Sequence, residues 1–171
     1  VGDTDLARVK TIEVDMIVAA LEDLKKAHDL PHSINMTFAV IKKRIDHKFL
    51  AVKKDMKSQT GETLENPPPG TVCDTVLTKK IWYDFFLVSQ MVRQGTVTPI
   101  HINIIHDSFA LAVDKVQELT FRLSHLYYNW PGTVRVPAPV QYAHKLAALI
   151  GDNVHKGVEV AESMKDKLYF L

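Results

Sequence analysis

One cysteine, Cys73, is all the thiol chemistry of this chain. It cannot close an internal disulfide, which fits a reducing compartment, and it reads as a small apolar core residue. Long hydrophobic runs are missing too. Nothing approaches the roughly 20 consecutive apolar residues of a membrane span, and no cationic leader with a small-residue cleavage site precedes the first helix. The expectation is a soluble intracellular polypeptide. An excess of one charge sign is also absent: 21 Lys and Arg stand against 20 Asp and Glu, for a formal charge of +1. A chain this close to neutral can hold a polyanion only where its cations are gathered locally.

Self-contained catalytic signatures are equally scarce. The sequence has no Gly-x-Ser-x-Gly elbow, no Gly-x-x-x-x-Gly-Lys-Ser/Thr phosphate loop and no His-Glu-x-x-His zinc helix. His28 and His32 are four apart but flank Pro31, so they cannot share a helical face. His101 and His106, five apart on a strand, point to opposite sides. Both pairs read as structural.

What is present suffices for one domain-sized core: 171 residues, 46% of them apolar. Ile17, Ala20, Leu21 and Leu24 recur at helical spacing and predict a helix from about Val14 to His28, closed by Pro31. Ile34, Met36, Phe38 and Val40 alternate as in a strand with one buried face. From Ser58 to Gly70 the chain turns polar and ends in Asn66-Pro67-Pro68-Pro69-Gly70, read as a surface connection. Strands are expected at Thr71 to Leu77, Trp82 to Ser89 and Pro99 to His106. The second of these is apolar on both faces and so central. A helix from Val113 to Tyr128 carries a stripe of Val116, Leu119, Leu123 and Leu126, with Asp114 near its start as a cap or dipole partner. After a Pro131-Gly132 turn and a short β-prone run, Pro137-Ala138-Pro139 opens a last helix reaching about Val154. His144 falls about two turns inside it, on either its packed or its open face. The order predicts an α/β unit, a mixed sheet flanked by helices.

Local cationic charge exists. Lys42, Lys43, Arg44, Lys48, Lys53, Lys54 and Lys57 lie in one stretch opposed only by Asp46 and Asp55. Such a run either keeps a surface soluble or marks a polyanion-binding face.

Several longer motifs, in order, go further. Val40 to Phe49, Asn66-Pro67-Pro68-Pro69-Gly70-Thr71-Val72, Trp82 to Gln90, Arg93-Gln94-Gly95-Thr96-Val97-Thr98-Pro99, Tyr127-Tyr128-Asn129-Trp130-Pro131-Gly132, Gln141-Tyr142-Ala143-His144-Lys145-Leu146 and Leu168-Tyr169-Phe170-Leu171 resemble successive landmarks of the PIWI domain in the PIWI branch of the Argonaute superfamily. The resemblance spans most of the chain and implies the C-terminal portion of a ribonuclease-H-like PIWI domain, residues 1–171, with the N-terminal half of that domain and the upstream domains absent.

For function, the resemblance implies a small-RNA-guided, piRNA-class silencing protein of the germline that binds guide RNA. The intact parent would cleave complementary RNA with Mg2+ or Mn2+ held by carboxylates and one histidine. His144 matches that histidine and is the expected catalytic and metal-position residue. The carboxylates lie upstream in the family; Val1-Gly2-Asp3 resembles the sequence just after one of them, which makes Asp3 a loop neighbour. The chain alone is therefore expected to be inactive. Matching guide-backbone positions are Lys43 and Lys48 at the strand end, with Arg44 beside them, then Gln94, Thr133 and Arg135: donors that hold phosphate without reading bases. The terminal carboxylate of Leu171 is a metal candidate at the guide 5′-phosphate, and Leu149 stands where the microRNA-type branch has a phosphate-binding arginine. A cytoplasmic, germ-granule or nuclear location follows from the same likeness, with no membrane partner.

Three readings compete at this level: part of a guided endonuclease, a non-cleaving guide-binding scaffold, or a protein-interaction fragment. Loss of half a sheet also predicts bare apolar edge and face, and so self-association or a partner protein.

Overall fold

In the computed structural model, residues 3–54, 57, 61–79, 81–153 and 159–171 are described. The N-terminal helix begins well before the periodic stretch: α1 (Asp3–Val9) passes through a π-helical turn (Lys10–Val14) into α2 (Asp15–Ala27). The apolar signal of this first part is sparse because, among its described residues, only Leu6 and Val14 are fully buried. Strand β1 (Thr37–Lys42) follows, then a ribbon of β2 (Ala51–Lys54) and β3 (Glu62–Glu65). Sequence patterning missed this ribbon. Its alternation is carried by Val52 and Leu64, both exposed, so no buried face writes a period into it. The stretch read as a polar connection therefore contains a strand.

Strands β4 (Thr71–Cys73), β5 (Tyr83–Val88) and β6 (Ile100–Asp107) complete a four-stranded sheet of order β1-β6-β5-β4. The class is α/β as expected, but the sheet is not mixed: every ladder among these four strands is antiparallel. The two inner strands are the ones apolar on both faces. Phe85, Leu87, Ile100, Ile102 and Ile104 project to one side, where they pack with Val116 and Val136. On the other side Ile105 joins Leu6 and Val14, with Met36, Phe38 and Val40 around them. Each fully buried side chain of this size contributes about 1.5–3 kcal/mol. Helices thus cover both faces, which corrects the one-faced reading of β1: Ile41 packs into the Phe85 cluster while Phe38 and Val40 pack into the Leu6 cluster.

Helix α3 (Val113–Leu123) is shorter than its apolar stripe suggests. Its stripe is buried only at Val116, while Leu126 lies beyond the helix and is 64% exposed. Asp114 sits in the first turn and Ala112 takes the N-cap position without a side-chain bond, so Asp114 acts on the helix dipole. The β-prone run after Gly132 forms no strand; it crosses over the sheet, tied by Val134 N–H to the Ser124 carbonyl at 2.9 Å. Helix α4 (Ala138–Asn153) then starts on the Pro137 carbonyl, which accepts from the N–H groups of Val140 and Gln141. Val154 lies outside the described residues.

Candidate nucleic-acid interface

Three of the residues singled out in the sequence converge. The Lys43 ammonium, one residue past the end of β1, lies 3.1 Å from His144 Nδ1 on α4. Arg135, on the crossing segment before α4, donates from Nη2 to the Lys43 carbonyl and lies 3.5 Å from the Pro99 carbonyl at the start of β6. Its own carbonyl accepts from Ser89 Oγ at 3.0 Å, just past β5. The ends of β1 and β5, the start of β6 and the segment leading into α4 are thereby laced together at one end of the sheet.

These side chains differ in how free they are. His144 is exposed, which resolves its two-sided placement to the open face. Lys43 is half-buried. Arg135 is aimed inward: burial pushes its guanidinium below the ordinary value, it remains cationic as arginines do in proteins, and its buried Nε has no partner among the described residues. Arg44, Lys48 and Gln94 are exposed. Thr133 is half-buried, and among the described residues none of these four makes a hydrogen bond or ion pair. Cations and amides left open in this way are available to phosphate oxygens.

Gln94 owes its placement to a residue the sequence reading left in a connection. Asn66 bridges with both ends of its amide, donating from Nδ2 to the Gly95 carbonyl at 2.8 Å and accepting the Val97 N–H on Oδ1 at 2.9 Å. Gly95 has φ +81°, a conformation that glycine adopts without strain.

A second polar centre lies inside the sheet, on the face opposite α3 and α4. Asp84 of β5 and His101 of β6 are both buried, and His101 Nε2 stands 2.6 Å from Asp84 Oδ2. Asp84 Oδ1 also accepts the Lys79 N–H. Burial holds the His101 imidazole below its ordinary value, against the opposing effect of the hydrogen bond it donates to Asp84. The carboxylate inside the otherwise apolar run Trp82 to Ser89 was the signal, because a buried charge requires a partner.

A divalent metal does not fit these residues alone. Among the described residues no group of three or more His, Cys, Asp or Glu is placed to hold one, and the neighbour of His144 Nδ1 is an ammonium. At the C-terminus, Leu171 is half-buried in a turn, and Phe170 packs edge-on at 6.2 Å against Tyr142 of α4.

The family model of the Piwi domain matches residues 1–155. The chain belongs to the Piwi domain family. Piwi-like protein 1 of Gallus gallus is 44% identical over 171 residues, 100% of this chain and 18% of the relative. The chain thus spans about a fifth of the length of the curated relatives it matches. The crystal structure of Drosophila Piwi superposes with a TM-score of 0.79 at 36% identity, over 99% of this chain and 22% of that one. Kluyveromyces polysporus Argonaute, solved with a guide RNA, gives 0.80 at 25% identity over 100% of this chain and 22% of that one. The ribonuclease-H-like α/β architecture of a PIWI domain, expected from the motifs, is the architecture found. Among the described residues no helix is long and apolar enough to cross a membrane.

Proposed function

We propose that this chain holds the sugar-phosphate backbone of a small guide RNA within a piRNA-class silencing protein, and that His144 serves cleavage of complementary RNA in the intact parent. The observation that carries the reading is the convergence of Lys43, Arg135 and His144, next to the open Arg44 and Lys48, in a chain of the Piwi family. Lys43, Arg44, Lys48, Gln94 and Thr133 supply donors to phosphate. Arg135 contributes by fixing the backbone that presents Lys43. The terminal carboxylate of Leu171 belongs to the same reading as a cation ligand at the guide 5′ end. Mg2+ or Mn2+ at His144 requires carboxylates beyond the described residues, so the chain by itself is a binding element.

The Lys43 ammonium 3.1 Å from His144 Nδ1, where a metal ligand would face a cation, favours a second reading, a guide-binding scaffold that does not cut. Cleavage of a matched RNA by the intact polypeptide, assayed with wild type and His144→Ala, separates the two. Loss of cutting with retained guide binding supports the endonuclease; undiminished cutting by the variant removes His144 from catalysis. A third reading, a protein-interaction fragment, draws on β1, an outer strand of the four-stranded sheet, since such edges invite pairing with another chain. Light scattering behind size exclusion tests it: a stable monomer with salt-sensitive RNA affinity counts against it.

A further inference from the structure

Segment 43–50 links β1 to β2 without regular secondary structure, and so without a hydrogen-bond ladder of its own. Ordering each residue costs about 1–2 kcal/mol of backbone entropy; a connection carrying Lys43, Arg44 and Lys48 could offer its cations to a polyanion only after paying that cost on binding. Two attachments remove the need. At one end the Arg135 guanidinium grips the Lys43 carbonyl. Further along, two rings of the segment meet one ring of the sheet: His47 lies 5.0 Å from Phe86 and Phe49 lies 5.6 Å from it, edge-on at 85°.

Phe86 is a fixed platform. It is buried in β5 and stacks at 4.2 Å and 7° on His101 of β6, whose other side of the contact chain is the 2.6 Å bond to Asp84. His101 and Phe86 are register partners across the two strands, so the stack is built into the sheet. Lys48 lies between the two anchored rings and is itself exposed. Anchors at i and i+2 with a free cation at i+1 are the arrangement expected of an extended segment holding alternate side chains to opposite sides.

We infer that the ring pile His101, Phe86 and His47, with Phe49 edge-on, is a positioning device that presets segment 43–48 for a nucleic-acid backbone, His47 and Phe49 being positioning residues and not phosphate ligands. This rests on the guide-holding reading above. Pre-organisation of this kind raises affinity without adding an ionic contact, because each side chain ordered in advance saves about 0.5–1.5 kcal/mol on association. That separates it from the role of Lys48, whose contribution scales with salt.

The test measures binding of a 5′-phosphorylated single-stranded RNA to the complete polypeptide, by fluorescence anisotropy across a salt series, with thermal midpoints recorded for every variant. Lys48→Ala is the control for the reading: affinity falls and the log-log salt slope shrinks by about 0.7, the value for one single-strand phosphate contact. His47→Ala and Phe49→Ala should each weaken binding roughly two- to tenfold with the slope unchanged, and His47→Phe should restore it. A slope reduced by His47→Ala and not rescued by His47→Phe makes His47 a direct cationic contact and overturns the inference. Wild-type affinity in both ring variants while Lys48→Ala binds weakly overturns it as well, leaving the guide-holding reading intact. Unchanged binding in all variants, Lys48→Ala included, defeats that reading and the inference with it.

Discussion

The Lys43 ammonium and the His144 imidazole share one hydrogen bond, 3.1 Å long, across 101 residues of sequence. It joins the end of β1 to an exposed position on α4. A contact so open to solvent is worth at most about 1 kcal/mol, so its stabilising effect is small and its position is the informative fact. Lys43→Met should change stability by less than about 1 kcal/mol, yet it should weaken RNA binding and reduce the salt slope by about 0.7. Chemical denaturation beside the binding series checks both halves.

Arg135 should behave in the opposite way. Its guanidinium is partly buried and bonded to carbonyls, so truncation leaves the Lys43 oxygen without its donor. Arg135→Met is expected to cost about 1–3 kcal/mol, a fall of several degrees in thermal midpoint for a domain of this size. Arg135→Lys should recover only part of it, since an ammonium on a flexible stem is not held toward the Lys43 and Pro99 carbonyls as the planar guanidinium holds Nη2. Differential scanning fluorimetry of the three proteins is the measurement.

His101 predicts a pH dependence. Its folded value lies below the ordinary 6.5 because the ring is buried, so between the two values the unfolded chain binds the extra proton. Stability from this group is then complete above about 6.5 and is lost as pH falls through the folded value. Thermal midpoints should be flat from pH 8 to 7 and decline toward pH 5. In a His101→Asn variant, the midpoint is lower throughout and the decline is shallower. An equally steep decline in the variant assigns the effect to other groups.

Asn66→Ala removes two hydrogen bonds at once, to the Gly95 carbonyl and from the Val97 N–H. The Val97 amide then loses its partner, and the expected cost is about 1–3 kcal/mol. Gln94 is repositioned with that turn, so RNA affinity should fall while the salt slope stays unchanged, because no cation has been removed. Affinity and midpoint measured together test this.

The strands that reveal themselves in the sequence are those buried on both faces. Phe85 to Val88 and Ile100 to Ile105 carry enough apolar residues to mark the centre of the sheet, and they are its inner strands. The ribbon does not, because Val52 and Leu64 face water and leave no buried period. Helix α1 is hidden for a related reason: one fully buried residue, Leu6, is too little to set a phase. At the candidate interface, residue types and motif order single out Lys43, Arg135 and His144, but not that they touch. That contact depends on a chain crossing 92 residues from Lys43 to Arg135, and no local pattern records it. The ring pile was likewise invisible, since His47, Phe49, Phe86 and His101 acquire a common meaning only once β5 and β6 are in register.

The β2 and β3 ribbon stands apart from the main sheet, held by its own ladder and by the Lys53 and Glu65 pair. Two strands alone are marginal in water, so its amides should trade their protons for solvent deuterons well ahead of those in β5 and β6. The basic segment consequently has a slow-exchanging neighbour at its first residue and a fast-exchanging one at its last, and an RNA that grips it should slow the ribbon's exchange before it alters anything in the sheet.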